Sequence, residues 1–167
     1  KLFQDRMSRH IDELRWLYME LYDNGSMFAE LCQKLYDYAA ERSAALKKRD
    51  LEREENPDWY KSNSLTGMMM YIDNFAGNLN GLREKLPYVE QAGVNLLHLM
   101  PFLDTVAERS DGGYAVADFR KVRADLGTME DLEQLADVCH KKGISLCMDF
   151  VMNHTSQDHE WAQRARQ

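Results

Sequence analysis

Two short groups of polar residues have the side-chain types that bind a hydroxylated ligand. Residues 110–114 have the sequence SDGGY, and residues 149–154 have the sequence DFVMNH. A carboxylate such as that of Asp111 accepts hydrogen bonds from hydroxyl groups, and the imidazole of His154 can bind another hydroxyl. The flat phenol ring of Tyr114 can stack on the apolar face of a pyranose ring. These residue types are therefore those of a sugar-binding site.

Each group also has a simpler interpretation. Residues 111–114 can form an ordinary turn, since Asp and Gly supply turn geometry, and they lack the glycine and lysine pattern of a phosphate-binding loop. Asp149, Asn153 and His154 could form a metal site, although one histidine with neighbouring oxygen donors is a weak indication of zinc. Residues 153–155 match a glycosylation acceptor, which matters only in a secreted protein. The placement of both groups directly after strands favours the sugar-binding interpretation.

Apolar runs of strand length alternate with amphipathic stretches in the second half of the chain. Strands are expected at 68–72, 94–100 and 144–150, and helices at 79–92 and 128–142. Because runs that are apolar throughout are typical of strands covered on both faces, this order predicts parallel strands joined by right-handed crossovers. In a (β/α)8 barrel, the residues that follow such strands lie together at the C-terminal mouth, where active sites are built.

Several details of this half are specific enough to be checked. Thr128 is expected to cap the second helix, with acidic residues in its first turn. Pro87 is expected to kink the first helix or to restart it there. Residues 102–127 are expected to form a long loop. Three parallel strands do not close a sheet, so the first and third are each expected to expose an edge and at least one apolar face.

The first half of the chain, from residue 3 to about residue 53, has a helical pattern instead. Apolar residues recur at three- and four-residue spacing in two stripes, which are Ile11, Leu14, Leu17, Tyr18, Leu21, Tyr22 and then Phe28, Leu31, Cys32, Leu35. Asn24 and Gly25 are expected to end the first helix, and Ser26 to cap the next. Pro57 ends the pattern, because the residue before a proline disfavours helical geometry. We expect two antiparallel helices, with room for a third piece.

Composition excludes several classes of protein. The 167 residues carry 21 Lys and Arg against 28 Asp and Glu, which gives a formal net charge of −7. We therefore expect neither nucleic acid nor an anionic membrane as the main partner. We also expect no signal segment at the start and no membrane span, for which roughly 20 apolar residues are needed. The dispersed cysteines Cys32, Cys139 and Cys147 predict buried thiols in a reducing cytoplasm rather than disulfides or a zinc site.

Several strings of this sequence resemble one enzyme family. Residues 149–154 resemble the first conserved region of the α-amylase superfamily, glycoside hydrolase family 13, in which Asp, three residues and Asn-His follow barrel strand three. The strings that resemble its amylosucrase branch are 71–77 (YIDNFAG), 97–101 (LHLMP), 110–116 (SDGGYAV), 153–156 (NHTS) and 159–163 (HEWAQ). The helical first half, with NPDW at 56–59, resembles the all-helical N-terminal domain of that branch.

The resemblance implies a fold and a division of the chain. It implies an α-helical N-terminal domain with its linker over residues 1–64. The first β/α units of a TIM (β/α)8 barrel would follow over residues 65–167, ending at the start of the loop after the third strand. The barrel is incomplete in this chain, so the remainder of the barrel or another chain is expected to cover the open strands.

The resemblance also implies roles for individual residues in a glucosyl pocket. Asp111 would close the pocket floor and bind hydroxyls, paired with an arginine beyond this chain. Tyr114 would stack on the glucosyl ring, and His154 would bind its 6-hydroxyl and stabilise the transition state. Asp149 would order the pocket from beneath. In many amylases the equivalent of Asn153 binds calcium, but the amylosucrase branch is not expected to need it, so we expect no metal and no cofactor.

For the intact protein the resemblance implies retaining glucosyl transfer from sucrose, with release of fructose and transfer of glucose to an α-1,4-glucan or to water. Sucrose and α-glucan are therefore the expected partners. A retaining enzyme needs two carboxylates about 5 Å apart. Asp111 and Asp149 match neither role, so the catalytic nucleophile and acid/base are expected beyond Gln167 and these 167 residues alone are expected to be inactive.

Three alternatives stay open at this stage. The intact protein can be a sucrose hydrolase, or an enzyme that converts trehalose or maltose. It can also be a non-catalytic module that binds a partner or a glucan, which a long exposed apolar face would favour.

Overall fold

The computed structural model describes residues 2–167, which divide into two compact units. The first unit ends at Lys61 and the second spans Ser62–Gln167. The assignment of residues 1–64 to a helical domain and of residues 65–167 to a catalytic barrel stays a prediction.

The first unit consists of three helices, α1 (Leu2–Tyr22), α2 (Gly25–Glu41) and α3 (Ala44–Glu55), followed by a short turn at Trp59–Lys61. Helices α1 and α2 are antiparallel, as the sequence predicts, because rings near both ends of the pair meet. Phe3 lies 5.1 Å from Tyr36, and Tyr18 lies 5.5 Å from Phe28, measured between ring centroids.

The caps of these helices correct one prediction and explain the third helix. Ser26 is not the cap of α2, which begins one residue earlier at Gly25. The side chain of Asn24 accepts from the backbone N–H of Met27 at 3.1 Å, and the Ser26 hydroxyl donates to the same oxygen. Ser43 caps α3 in the same way by accepting from the N–H of Leu46 at 3.2 Å. Capping oxygens of this kind satisfy N–H groups that the first turn leaves without partners.

The second unit is built on a parallel sheet of three strands, β1 (Gly67–Met70), β2 (Leu96–Leu99) and β5 (Ser145–Met148). The strands lie in the order β1-β2-β5, and Met70, Leu99 and Met148 are aligned at their C-terminal ends. The helices of this unit are α4 (Ile72–Ala76), α5 (Leu79–Gln91), α6 (Met129–Lys141) and α7 (Glu160–Ala165). This arrangement confirms the predicted fold class, the N-terminal part of a (β/α)8 barrel that is not closed.

The apolar faces of the two longer helices pack on the sheet. Leu79, Leu82, Leu86 and Val89 of α5 are buried, which confirms the predicted helical spacing. The helix continues through Pro87 to Gln91, so the predicted restart at that residue is wrong. The proline is exposed, and buried leucine and valine lie on either side of it. Tertiary packing of the buried face therefore holds the helix together across the missing hydrogen bond.

The predicted long loop at 102–127 contains an antiparallel strand pair, so that prediction is wrong in part. Strands β3 (Leu103–Thr105) and β4 (Val116–Val122) pair with register shifts on both sides of Asp104. Such irregularities break the two-residue alternation by which a strand is recognised in a sequence. The prediction that Thr128 caps α6 is confirmed. Its hydroxyl accepts from the Asp131 N–H at 3.2 Å, and the Asp131 carboxylate accepts from the Thr128 N–H at 2.9 Å.

The outer strands of the sheet carry exposed apolar side chains, as the sequence predicts. Met69 on β1 is 66% exposed, and Met148 on β5 is 39% exposed. The prediction of buried thiols holds for Cys139 only, since Cys32 is half-buried and Cys147 is exposed. Cys147 is exposed because it lies on an outer strand, β5, whose last two residues are uncovered. None of the helices formed by residues 2–167 is long and apolar enough to cross a membrane.

Candidate functional site

The predicted site residues follow the C-terminal ends of the sheet strands. Asp149 comes directly after β5, and its N–H donates to the carbonyl of Leu99 at the end of β2, at 2.9 Å. His154 lies five residues further along the same segment, and Tyr114 lies between β3 and β4. The parallel sheet therefore directs both polar groups to one end of the unit, as the order of elements predicts.

Three of the four predicted residues are in contact. The Tyr114 hydroxyl donates to Oδ2 of Asp149 at 2.8 Å. Nε2 of His154 lies 3.1 Å from the carbonyl oxygen of Tyr114, and Nδ1 lies 3.1 Å from the side-chain nitrogen of Asn153. The carbonyl can only accept, so this contact assigns the donor role to Nε2 of His154.

The hydrogen bond between Tyr114 and Asp149 has an electrostatic consequence. The carboxylate of Asp149 raises the pKa of the Tyr114 phenol above its ordinary value, chiefly through this hydrogen bond. The phenol therefore stays neutral and remains a donor at physiological pH. Its ring is 37% exposed, which leaves room for a ligand to lie against it.

Asp111 lies on the same loop as Tyr114 but does not join the cluster. Its backbone carbonyl accepts from the Tyr114 N–H at 3.2 Å, and its side chain is exposed. Within the described part of the chain, no hydrogen bond or ion pair engages its carboxylate. That carboxylate is consequently available for a ligand, although its role and those of Tyr114, Asp149 and His154 stay predictions.

The two glycines of this loop are required by its backbone and by its neighbours. Gly112 and Gly113 have φ angles of 61° and 86°, in the left-handed region that favours glycine. A Cβ atom on Gly113 would lie 2.9 Å from the carbonyl oxygen of Pro101, and one on Gly112 would lie 2.9 Å from the hydroxyl of Tyr71. The loop therefore lies tightly between Tyr71 and Pro101, which fixes the direction in which Tyr114 leaves it.

A cavity of about 730 Å³ lies beside this loop and contains residues that the sequence did not single out as functional. Arg123 lines this cavity and forms ion pairs with Asp73 at 2.6 Å and with Asp125 at 2.7 Å. Hydrogen bonds from Arg123 hold the pKa of both carboxyls below the ordinary value. No local sequence pattern indicates the pairing of Arg123 with Asp73, because the two residues are separated by 50 positions.

His154 also lines a second cavity of about 460 Å³, together with four other ring side chains. Phe119 lies 5.2 Å from Phe150 and 5.7 Å from His159, which in turn lies 5.1 Å from Trp161, all between ring centroids. His159 is buried and caps α7 by accepting from the Trp161 N–H. These contacts anchor the segment that carries His154.

The residues of this region do not form an evident metal centre. Among residues 2–167, no three His, Cys, Asp or Glu side chains are grouped so that they could hold a metal ion. The arrangement instead offers hydroxyl-binding groups and a partly exposed ring at one end of a parallel sheet, which is the chemistry of sugar recognition. The expectation that the complete protein needs no metal stays a prediction.

Comparison with known proteins agrees with this geometry. Residues 33–167 match the family described as "Alpha amylase, catalytic domain". A trehalose synthase/amylase of Mycolicibacterium smegmatis is 48% identical over 90 residues, which is 54% of this chain and 15% of that protein.

Two solved structures are similar in fold to part of this chain. A mutant isomaltulose synthase from Erwinia rhapontici, in complex with its natural substrate sucrose, matches with a TM-score of 0.56 and 31% identity, covering 62% of this chain and 19% of that one. The trehalulose synthase of Pseudomonas mesoacidophila matches with a TM-score of 0.57 and 33% identity, with the same coverage of 62% and 19%.

These matches settle the family and leave its branch open. The chain spans only 15% to 19% of the length of these three relatives, so it corresponds to a part of such a protein. The relatives are a trehalose synthase/amylase, an isomaltulose synthase and a trehalulose synthase, and they do not show the predicted amylosucrase branch. The chain belongs to the α-amylase family, glycoside hydrolase family 13, and carries the N-terminal part of its catalytic barrel.

Proposed function

We propose that the intact protein is a retaining glucosyltransferase that acts on sucrose, as amylosucrases do, and that this chain supplies part of its glucosyl-binding pocket. The observation that carries the proposal is the contact of Tyr114 with both Asp149 and His154 at the C-terminal end of the sheet. These side chains come from separate segments, and the fold gathers them where barrel enzymes bind their substrates.

Each residue then has a definite task. The Tyr114 ring stacks on the glucosyl unit, and Asp149 fixes that ring by accepting from its hydroxyl at 2.8 Å. His154 uses its Nε2–H to bind the 6-hydroxyl, exchanging the Tyr114 carbonyl for the sugar. Asp111 accepts hydrogen bonds from other hydroxyls with its free carboxylate. Fixed groups of this kind accelerate the reaction where they bind the oxocarbenium-like transition state more strongly than the ground state.

The bond-breaking step needs groups other than these. A retaining mechanism uses one carboxylate as the nucleophile and another, about 5 Å away, as the acid/base. Asp149 is occupied by the Tyr114 hydroxyl, and Asp111 lies on a loop with no paired carboxylate among the described residues that contact it. We propose that the nucleophile and the acid/base belong to segments of the protein that follow residue 167.

Two observations support sucrose as the donor sugar, and one observation favours trehalose or maltose. The strings that resemble amylosucrases include the loop 110–116 itself, and a structurally similar isomaltulose synthase binds sucrose. The 48% identity to a trehalose synthase over 90 residues favours conversion of trehalose or maltose instead. The glucosyl-binding tasks given above are the same for either donor, so the choice depends on groups that bind the other sugar unit.

The products distinguish these functions. The full-length protein is incubated separately with sucrose, trehalose and maltose, and the released sugars are quantified. Fructose in excess of glucose indicates transfer, as we expect, whereas equal amounts indicate a sucrose hydrolase. A sucrose isomer without free fructose, or conversion of trehalose or maltose alone, would refute the amylosucrase assignment. Activity on none of the three would refute the proposed enzyme.

A matched pair of variants tests whether the site described above is the one used. Tyr114→Phe retains the ring and removes the hydroxyl that binds Asp149, whereas Tyr88→Phe makes the same change at an exposed position on α5. We expect only the first to lower kcat/KM. Equal activity of both variants would show that the Tyr114 hydroxyl has no part in the reaction.

A further inference from the structure

We propose that Arg123 is a positioning residue, which holds the side chain of Tyr71 against residues 110–114 through its ion pairs with Asp73 and Asp125. The shape of residues 110–114, which we call the sugar-binding loop, would then depend on a contact outside the glucosyl-binding pocket. The catalytic consequence rests on the proposed function, whereas the effect on the loop does not.

Arg123 joins the carboxylates of Asp73 and Asp125, and we call these three side chains the clamp. Its Nη2 lies 2.6 Å from Oδ2 of Asp73, while Nε and Nη2 lie 2.7 and 3.0 Å from the two carboxylate oxygens of Asp125. A planar guanidinium can bind one carboxylate through donors on two nitrogens and a second carboxylate at the same time, whereas an ammonium group carries all its donors on one nitrogen and lacks this fixed geometry. The backbone of Arg123 is itself anchored, since its N–H donates to the carbonyl of Phe102 at 2.9 Å.

The clamp is connected to the sugar-binding loop through the segment that follows β1. Asp73 lies in the first turn of α4, two residues after Tyr71, which is the residue that precedes this helix. The Tyr71 hydroxyl lies so close to Gly112 that a Cβ atom there would stand 2.9 Å from it. Tyr71, Asp73, Gly112 and Arg123 all line the same cavity of about 730 Å³. A change at Arg123 is therefore transmitted over a short path to Gly112, and from there to Tyr114.

Two further contacts hold the same pair of segments together, which limits what Arg123 has to do. The Leu79 N–H donates to the Leu126 carbonyl at 2.9 Å, and the Asn80 side chain donates to Asp131 at 3.0 Å. These contacts involve residues that follow the C-terminal end of α4, whereas Tyr71 precedes its N-terminal end. Loss of the clamp should therefore loosen Tyr71 and the loop without unfolding the unit.

The chain offers a matched control. Lys142 forms an ion pair with Glu90 at 2.6 Å, and these side chains are 32% and 38% exposed, against 22% and 39% for Arg123 and Asp73. Lys142 precedes β5, so it lies at the opposite end of the sheet from the sugar-binding loop. Removing its charge breaks an ion pair of similar exposure without touching the loop.

The test compares the full-length wild-type protein with Arg123→Gln, Arg123→Lys, Asp73→Asn and Lys142→Gln. Hydrogen–deuterium exchange is measured at residues 110–115, where the N–H groups of Tyr114 and Ala115 donate to the Asp111 carbonyl and the Ser110 hydroxyl. We expect exchange at these N–H groups to be about tenfold faster in Arg123→Gln, Arg123→Lys and Asp73→Asn than in the wild type. A tenfold change corresponds to about 1.4 kcal/mol in the free energy of local opening. Lys142→Gln should leave it unchanged.

Kinetics on the donor sugar are measured on the same proteins. We expect kcat/KM to fall by about tenfold to a hundredfold in Arg123→Gln, as small misplacements of binding groups do. Unchanged exchange at residues 110–115 in both Arg123→Gln and Asp73→Asn would overturn the proposal, and so would equal acceleration in Lys142→Gln. Faster exchange in a protein whose wild type acts on no sugar would refute the proposed function and leave the positioning role standing.

Discussion

None of the described residues in α1, α2 and α3 is buried, whereas the sheet unit buries eighteen apolar side chains in one cluster. The helices of the first unit are joined by ring contacts and by ion pairs such as those of Glu54 with Arg6 and Arg9. The sheet unit is held by a close-packed core, and the candidate site stands on it. Burial of apolar surface, which is the dominant stabilising contribution in proteins, therefore contributes more to the second unit than to the first.

The two regions also differ in how well an amphipathic stripe predicts burial. Leu82 and Leu86 of α5 are fully buried, whereas Leu17 and Leu21 of α1 are 47% and 74% exposed although they belong to a predicted stripe. A stripe therefore predicts a helix, and burial depends in addition on a surface that packs against it. We test this contrast below, from the largest expected effect to the smallest.

The first test removes one leucine from each region of the 167-residue chain. Leu82→Ala, at a position with 0% exposure, should lower the free energy of unfolding by about 2–5 kcal/mol, because it leaves a cavity in a packed core. Leu21→Ala, at 74% exposure, should change it by less than about 0.5 kcal/mol. Urea unfolding of Leu82→Ala is followed at Trp161, with Trp16 and Trp59 replaced by Phe, and that of Leu21→Ala at Trp16 and Trp59, with Trp161 replaced by Phe. Similar effects of the two variants would contradict the contrast.

The second test concerns the site that the core supports. Tyr114→Phe should lower kcat/KM for the donor sugar by about tenfold, because the ring loses the hydrogen bond to Asp149 that fixes its orientation. The urea midpoint of the sheet unit should stay nearly unchanged while kcat falls. A fall in the urea midpoint large enough to account for the lost activity would indicate a structural role alone.

The third test removes one helix cap from each region. Asn24→Ala and Thr128→Ala should each cost about 1 kcal/mol, since each side chain satisfies an N–H at the start of its helix. Each loss should be confined to its own unit, which the tryptophans of the two units report separately. If Asn24→Ala shifted the transition seen at Trp161, the two units would not be independent in stability.

The smallest expected effect is that of acidification on the stability of the two units. Hydrogen bonds from Arg9 to Glu54, and from Arg42 to Asp50, lower the pKa of these carboxyls in the folded chain. Their stabilising effect is therefore complete above the ordinary carboxyl pKa of about 4, and is lost as the pH falls through the lowered folded value. Arg123 lowers the pKa of Asp73 and Asp125 in the sheet unit as well, but that unit also has a buried apolar core. On acidification below about pH 4, Trp16 and Trp59 should therefore report loss of structure before Trp161 does. The opposite order would show that ion pairs matter less to the helices than we infer.

Features set by short-range periodicity and capping could largely be predicted from the sequence. The strands and the buried face of α5 follow from apolar spacing, and the Thr128 cap follows from a local pattern of side chains. Features set by distant or irregular contacts could not. The β3–β4 pair was missed because its register shifts hide the alternation, and the passage of α5 through Pro87 depends on packing that the helix alone does not show.

The same distinction applies to the site. The sequence could predict that Tyr114 lies at the same end of the unit as Asp149 and His154, because the segments that carry them follow β2 and β5, whose parallel order fixes that end. The ion pairs of Arg123 could not be predicted, because its partners Asp73 and Asp125 lie on different segments and no sequence spacing links the first of them to it. Contacts within one cavity become visible only when the chain is folded.

A crystal structure of the full-length protein with glucose or sucrose bound tests the central claim most directly. We expect the glucosyl ring to lie on the Tyr114 phenol, with its 6-hydroxyl within hydrogen-bond distance of His154 Nε2 and another hydroxyl bound by Asp111. Asp149 should remain bonded to the Tyr114 hydroxyl. A sugar bound away from Tyr114 and His154, or a Tyr114 ring that turns away from Asp149 to admit it, would contradict the account.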